Sequence, residues 1–297
     1  TGKVQEFSIY DVEKTNNVPI SKQDITTGEE IEGARLELLD SKGKVIESWT
    51  STTKPHVINN LKAGTYTIRE KVAPKGYLLA EDIEFTIDAE GNITGSTIMQ
   101  DDYTKVEISK KDIVTSEELP GATLQVIEKS TGKVLEEWTS TAEPYKINKL
   151  PIGEYILREI TAPDGYVRAE DVEFKVDKTG EIQKVEMQDD YTKVEISKKD
   201  LETKEILEGA QLQLLDSEGD VVAEFTSENK AYMISKLPVG EYTLHEVKAP
   251  KGYNLAEDVK VVIEDTGKVQ EFSIYDVEKT NNVPISKQDI TTGEEIE

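Results

Sequence analysis

The sequence contains no cysteine, has no long apolar run, and carries far fewer basic than acidic residues. The absence of cysteine excludes disulfides, thiolate metal sites and cysteine nucleophiles. No apolar stretch approaches the ~18 residues of a membrane-spanning helix. No signal, transit or lipidation motif is seen, so we expect a segment from inside a longer chain. The 60 acidic and 35 basic residues give a net charge of −25, which disfavours nucleic acid and anionic membranes as partners.

Motifs for turnover enzymes and cofactor sites are also missing. There is no phosphate-binding or dinucleotide-binding glycine loop and no Ser-His-Asp arrangement. No acidic loop has the spacing of a calcium site. We therefore expect no metal and no cofactor. With only 36% hydrophobic residues in 297, small domains with thin cores are favoured over one large globule. Such domains usually need a covalent cross-link, and the commonest one, a disulfide, is absent.

What the sequence does contain is an internal repeat of about 88 residues. Three blocks recur in the same order, typified by I-S-K-x-D, by A-P-x-G-Y and by an Asp near the end of each unit. The first block occupies 18–34, 106–122 and 194–210, and the second occupies 65–77, 154–166 and 241–253. We predict three domains, 15–103, 104–191 and 192–278. Residues 1–14 would be the closing strand of a preceding repeat, and 279–297 the opening strand of a following one.

The two ends of the sequence are identical over 32 residues, 1–32 and 266–297. Either a parent protein repeats a three-domain block, or the sequence was cut so that it overlaps itself. We prefer the first explanation, because long arrays expand by copying whole blocks.

Each repeat has the pattern of an all-β domain. Apolar and polar residues alternate with period two between turns rich in Gly, Pro, Asn and Asp. In the second repeat, strands are predicted near 105–112, 122–128, 133–140, 145–149, 154–160, 170–176 and 182–191. Seven short strands predict an immunoglobulin-like sandwich of two sheets. Because almost no linker separates the repeats, we expect an elongated tandem array.

The alternation also places ionisable residues on the inward face of each domain. In the second repeat, Lys110 shares a face with Val106 and Ile108. The same reasoning gives one Lys, one Glu and one Asp in each repeat. They are Lys22, Glu70 and Asp101; Lys110, Glu159 and Asp189; and Lys198, Glu246 and Asp276.

Burial makes these three groups candidates for a reaction with one another. It lowers the pKa of a lysine and raises that of a carboxyl, by as much as ~3–5 units. A neutral amine can attack a protonated carboxylic acid held on an adjacent strand, while the Glu transfers protons. The product is an intramolecular Lys–Asp amide. Two alternatives stay open: an inert buried salt-bridge network, and lysines that extend to the surface.

The repeats resemble the collagen-adhesin B-type (SpaA-like, prealbumin-like) domains of Gram-positive surface proteins. The features that match are I-S-K-x-D, L-P-x-G-E-Y, L-x-E-x-x-A-P-x-G-Y and a closing strand with Asp before an aromatic residue. The resemblance implies that Lys22, Lys110 and Lys198 join Asp101, Asp189 and Asp276, with Glu70, Glu159 and Glu246 as catalysts. The third repeat departs from this pattern, because it closes with Tyr275-Asp276-Val277. Asp11 and Lys287 would be orphan halves of neighbouring repeats.

The function implied is a structural stalk of an adhesin on the cell wall of a Gram-positive bacterium. It is not a turnover enzyme, because each reactive group is used once. Neighbouring repeats of the same chain are the expected partners, and the resemblance also allows a host extracellular-matrix protein bound through other domains. Neither nucleic acid nor membrane insertion is expected. The alternative is a module that itself binds such a matrix ligand, but the repeats have similar lengths and no inserted loop.

Overall fold

The computed structural model of the chain describes residues 14–280, 285–288 and 290–295. Within these residues the regular structure is entirely β, in 22 strands, which confirms the predicted fold class. No helix that could cross a membrane is present among the described residues. The chain forms two compact units. One contains the first repeat and most of the second, and the other contains the third repeat together with residues 112–117, 159–169 and 188–191 of the second.

The first repeat is a sandwich of two sheets. Its strands are β1 (Asn16–Asp24), β2 (Arg35–Leu39), β3 (Val45–Thr50), β4 (His56–Leu61), β5 (Gly64–Val72), β6 (Ile83–Ile87), β7 (Ile93–Gly95) and β8 (Ile98–Asp101). One sheet has the order β4-β1-β8 and the other the order β3-β2-β5-β6-β7. A single apolar core lies between them, with Ile20 and Met99 from the first sheet and Leu36, Ile68 and Phe85 from the second.

The second repeat has the same two sheets built from seven strands. They are β9 (Lys105–Asp112), β10 (Thr123–Glu128), β11 (Val134–Thr139), β12 (Tyr145–Asn148), β13 (Gly153–Thr161), β14 (Val172–Val176) and β15 (Ile182–Asp189). Their orders are β12-β9-β15 and β11-β10-β13-β14. Each strand coincides with one predicted from the alternation, to within two residues at either end.

The third repeat also has seven strands. They are β16 (Lys193–Asp200), β17 (Gln211–Leu215), β18 (Val221–Thr226), β19 (Tyr232–Ser235), β20 (Gly240–Lys248), β21 (Val259–Ile263) and β22 (Val269–Asp276). Their orders are β19-β16-β22 and β18-β17-β20-β21. All three repeats therefore share one topology.

The eighth strand of the first repeat arises because its closing strand is divided. Residues Ile93–Gly95 pair with β6, whereas Ile98–Asp101 pair with β1. Gly95 has a φ of +92°, and a Cβ there would lie 2.5 Å from the carbonyl oxygen of Glu84. This left-handed glycine bends the chain from one sheet to the other. The equivalent strands β15 and β22 run without a break.

The first and last strands of a repeat are neighbours, and in the first and third repeats they run parallel. Asp24 pairs with Asp101 in the first repeat, and Asp200 pairs with Asp276 in the third. Parallel strands pair slowly because a long connection must close first. Here the connection is the rest of the domain. The lysine lies two positions before the end of the first strand, so it can reach the end of the last.

Candidate functional site

All nine predicted site residues of the three repeats are buried. Each Lys, Glu and Asp exposes 4% or less of its surface, as the alternation of the strands predicts. The lysines belong to β1, β9 and β16, the glutamates to β5, β13 and β20, and the aspartates to β8, β15 and β22. Lysines and carboxylates are almost never fully buried unless they are paired. The core of each repeat therefore holds a charged cluster that needs a chemical explanation.

In the first repeat, the structure brings the three groups into contact. Lys22 Nζ donates a hydrogen bond to Asp101 Oδ1 and lies 3.1 Å from Glu70 Oε1. These side chains are at most 1% exposed. The strand register explains the contact between Lys22 and Asp101: parallel pairing sets Lys22 opposite Met99, and its long stem reaches the next inward position of β8. The amine is thus in place to attack the Asp101 carboxyl carbon.

The third repeat has the same arrangement. Lys198 Nζ donates to Asp276 Oδ1 and lies 2.9 Å from Glu246 Oε1. All three side chains are fully buried. Val277, which departs from the sequence pattern of the other repeats, leaves this geometry intact. The Lys, Glu and Asp of the first and third repeats therefore make the same contacts, although the sequences around them differ.

The second repeat supplies the same residues at the same places on its strands. Lys110 is on β9, Glu159 on β13 and Asp189 on β15, and each is at most 3% exposed. β9 and β15 are neighbouring strands of one sheet.

A backbone amide fixes the glutamate in each repeat. Glu70 Oε2 accepts a hydrogen bond from the backbone N–H of Ala80 at 2.8 Å. The corresponding N–H groups of Ala169 and Ala256 donate to Glu159 and Glu246, each at 2.7 Å. One carboxylate oxygen is thus anchored, and in the first and third repeats the other faces the lysine. The glutamate is oriented to exchange a proton with the amine.

The electrostatics of the first cluster favour a protonated Asp101. Burial raises the pKa of Asp101 to about 7; Lys22 lowers it, and the neighbouring Glu70 raises it. One ammonium beside two buried carboxylates would leave a net negative charge in the core, so a proton on a carboxyl is favoured. A protonated acid has a better leaving group than a carboxylate. In the third repeat, burial likewise raises the pKa of Asp276. Lys198 lowers this pKa, and Glu246 raises it.

The raised pKa of Asp101 predicts how pH changes the stability of a repeat that lacks the lysine. In Lys22→Met, we expect the first repeat to lose stability as pH rises from about 4 to about 7 and beyond. The folded form keeps a proton on Asp101 that the unfolded chain releases near the ordinary value of 3.8. Lys22 lowers the pKa of Asp101 in the folded repeat, so its removal raises that pKa and widens the pH range over which stability falls. Urea unfolding at about pH 5 and about pH 8, followed by Trp49 fluorescence with Trp138 replaced by Phe, measures this.

Lys54→Met is the matched control, because Lys54 is exposed in the same repeat. Its stability should change much less between the two pH values. A Lys22→Met repeat that is more stable at the higher pH would contradict a protonated Asp101.

A further set of buried groups was missed by the sequence reasoning. Asp24, Asp112 and Asp200 end the first strands of the three repeats, two positions after the lysines, and are at most 7% exposed. The alternation that singled out the lysines also points these aspartates inward. The Tyr77 and Tyr166 hydroxyls donate to Asp24 and Asp112, at 2.9 and 2.7 Å. These tyrosines are the last residues of the A-P-x-G-Y motif.

Two further residues, Lys287 and Asp11, were predicted as orphan halves of neighbouring repeats. Lys287 is exposed, and Asp11 lies outside the described residues. In the described part of the chain, no group of three or more His, Asp or Glu residues has the geometry to hold a metal ion.

A known protein family matches this chain in three successive ranges. The family described as SpaA, prealbumin-like fold domain, matches residues 16–102, 104–191 and 192–278. These ranges cover most of the chain. No curated protein matches it by sequence.

Several solved structures are similar in fold. The Bacillus anthracis TIE protein is 25% identical with a TM-score of 0.46, over 89% of this chain and 51% of that one. BcpA, the major pilin subunit of Bacillus cereus, is 17% identical with a TM-score of 0.36, over 90% and 100%. The pilus adhesin SpaC of Lactobacillus rhamnosus GG is 14% identical with a TM-score of 0.40, over 91% and 44%. This chain spans about half the length of the first of these.

Proposed function

Because this chain belongs to the SpaA family of prealbumin-like fold domains, we propose that it is a structural stalk segment of a bacterial surface protein. Each repeat is locked by an amide between the lysine of its first strand and the aspartate of its last. The observation that carries the proposal is the buried contact of Lys22 with Asp101 and Glu70, made again by Lys198 with Asp276 and Glu246. The segment belongs outside the cell, on a Gram-positive cell wall.

The cross-linking step consumes one amine and one carboxylic acid and releases one water. In the first repeat, Glu70 accepts a proton from the Lys22 ammonium, and the neutral Nζ then attacks the carboxyl carbon of the protonated Asp101, forming a C–N bond. Glu70 donates its proton to the hydroxyl group that leaves Asp101 and takes a proton from the attacking nitrogen. The C–O bond breaks, water departs, and the surplus proton of the ammonium remains on Glu70. No external reagent is needed.

The surroundings support this chemistry over an inert salt bridge. Lys22 and Asp101 are held together by strand pairing, so attack is intramolecular and has a high effective concentration. The site excludes water, which favours loss of water over the reverse hydrolysis. A buried, unreacted ion pair also contributes little net stability, because desolvation offsets its attraction. An amide removes both charges from the core.

A stalk is favoured because of where the bond lies in the chain. It would join the first strand to the last and bypass all the residues between Lys22 and Asp101, which are 79 positions apart. Tension that enters through β1 would then leave through β8 without passing through the rest of the domain. The bond contains no sulfur, so a reducing environment would not open it.

Intact-mass measurement tests the proposal directly. We expect the folded protein to be lighter than its sequence by three waters, one for each repeat. Digestion should yield Lys22 and Asp101 in one cross-linked peptide, and Lys198 and Asp276 in another. Glu70→Gln should restore one water, because the amide nitrogen of Gln cannot transfer the proton.

Glu84→Gln is the matched control, since Glu84 is an exposed residue of the same repeat. Its mass should remain short by three waters. A wild-type protein with the full mass of its sequence would refute the covalent lock and leave the buried salt-bridge network in its place.

A further inference from the structure

Where one repeat follows another, a lysine of the following repeat enters a pocket of the preceding one. Lys149 directly follows β12 of the second repeat. Its Nζ lies 2.8 Å from Asp24 Oδ2 of the first repeat, and it lies over the rings of Tyr77 and Tyr103, at 4.7 and 5.3 Å. An ammonium is attracted to both a carboxylate and an aromatic face. The pocket therefore supplies an ion pair and two cation–π contacts to the lysine head.

The next junction repeats the arrangement with other residues. Lys236 follows β19 of the third repeat, and its Nζ lies 2.9 Å from Asp112 Oδ2 of the second repeat. It also lies over the rings of Tyr166 and Tyr191, at 4.7 and 5.4 Å. The Tyr166 hydroxyl accepts a hydrogen bond from this ammonium. The same pocket thus forms twice, from separate stretches of sequence.

The backbone holds each lysine in a conformation that is unusual for its residue type. Lys149 and Lys236 have φ values of +65° and +63°. A residue with a Cβ is disfavoured in this left-handed region, where Asn is tolerated best. In the first repeat the equivalent position is occupied by Asn60, also left-handed, with a φ of +60°. Lysine is therefore used at the two described junctions in spite of its conformational cost, which points to a role for the side chain.

The main chain of the same lysine also contacts the preceding repeat. The N–H of Lys149 donates to the carbonyl oxygen of Thr104, the first residue of its own repeat, at 2.9 Å. A Cβ on Gly76 of the first repeat would lie 2.1 Å from the carbonyl oxygen of Lys149. Gly165 has the same relation to Lys236, at 2.3 Å. Only glycine fits at these positions, so the repeats meet backbone to backbone.

In each pocket, the contact between lysine and aspartate favours the charged form of both groups. Burial disfavours the charged form of Asp24, yet hydrogen bonds from Lys149, from backbone amides and from Tyr77 lower its pKa to about 2. Contacts with Tyr166 and Asp112 raise the pKa of Lys236 to about 12. Asp24 and Asp112 are buried, unlike the partners in a surface ion pair. Removal of the lysine would therefore leave a buried carboxylate with fewer donors.

We propose that Lys149 and Lys236 are latches that couple each repeat to the one before it. The carboxylate and tyrosines of one repeat form the receptor, and the ammonium of the next repeat is its ligand. The latch limits the movement of adjacent repeats, so that a tandem pair behaves as one body. This role does not depend on the proposed amide bonds, because it uses none of their residues.

Spin-label distances between two repeats test the latch. The chain has no cysteine, so Lys44→Cys and Lys133→Cys, both exposed, place single labels on the first and second repeats. We expect a narrow distance distribution for this labelled protein. Lys149→Asn, which introduces the residue found at position 60, should abolish the narrow distribution. Lys236→Asn should leave this distance unchanged, because it opens the other junction.

Two controls separate the latch from general effects of charge and backbone strain. Lys146→Asn removes an exposed lysine of the same strand, β12, and should keep the distribution narrow. Gly76→Ala should broaden it through a clash with Lys149, whereas Gly252→Ala should not. Gly252 is also left-handed but has nothing within 4 Å of an added Cβ. Intact mass and Trp fluorescence establish that each variant is folded. A folded Lys149→Asn protein with the wild-type distribution would overturn the proposal.

Discussion

Pulled by its two ends, the Glu246→Gln protein should extend by one long step that the wild-type protein lacks. Without the glutamate, Lys198 and Asp276 remain unjoined, and the third repeat can unravel. The two residues are 78 positions apart, and at ~3.3–3.6 Å per residue the released chain measures about 260–280 Å. The proposed bonds of the first two repeats are unaffected by this change, so those repeats should not extend. Single-molecule force spectroscopy measures the step.

Two further proteins make the result specific. Glu241→Gln changes an exposed glutamate of the same strand, β20, and should give the wild-type trace. Asp276→Ala removes the carboxyl carbon altogether, so it should show the long step even if the Glu246→Gln protein forms the bond slowly. Three long steps in the wild-type protein would mean that the repeats carry no covalent lock.

Heating should reveal the second large effect, a fall in the melting temperature of the first repeat in Glu70→Gln. A bond that closes a loop of 79 residues stabilises a domain by ~4–5 kcal/mol, by analogy with a disulfide. For a domain of this size, the loss corresponds to a fall of about 20–35 °C. Trp49 packs against the core of the first repeat, and its fluorescence reports the transition when Trp138 is replaced by Phe. Phe225 occupies the equivalent position of the third repeat.

The control for heating is again Glu84→Gln, whose melting temperature should stay near that of the parent. The Glu70→Gln protein should also regain sensitivity to proteases within the first repeat, because its unfolded form is no longer held closed. An unchanged melting temperature in Glu70→Gln, together with a restored water in its mass, would mean that the bond forms in the parent but does not stabilise the domain.

The strands and the inward lysines follow from local alternation, which is why the sequence predicts them well. Val18, Ile20 and Lys22 lie on one face of β1 because side chains of a strand alternate. The divided closing strand of the first repeat was not predicted, since it depends on Gly95 lying against the backbone of Glu84. A glycine within a strand pattern allows such a bend but does not require it.

Two features could not be predicted from the local sequence pattern: the backbone hydrogen bonds to the glutamates, and the lysine latches at the junctions. Ala80 acts on Glu70 through its backbone N–H, which every residue but proline carries, so its side chain gives no signal. Lys149 looks in the sequence like any charged residue in a turn. Its role becomes apparent only when its positive φ and the facing pocket around Asp24 are seen together.

The parallel pairing of the first and last strands determines how a repeat responds to a pulling force. In the third repeat, β16 and β22 pair over eight residues, from Lys193 with Val269 to Asp200 with Asp276. The chain enters at the start of one strand and leaves at the end of the other. Force along the chain therefore shears the two strands and loads their hydrogen bonds together, instead of peeling them apart one by one. Even a repeat without its amide should yield in a single abrupt event.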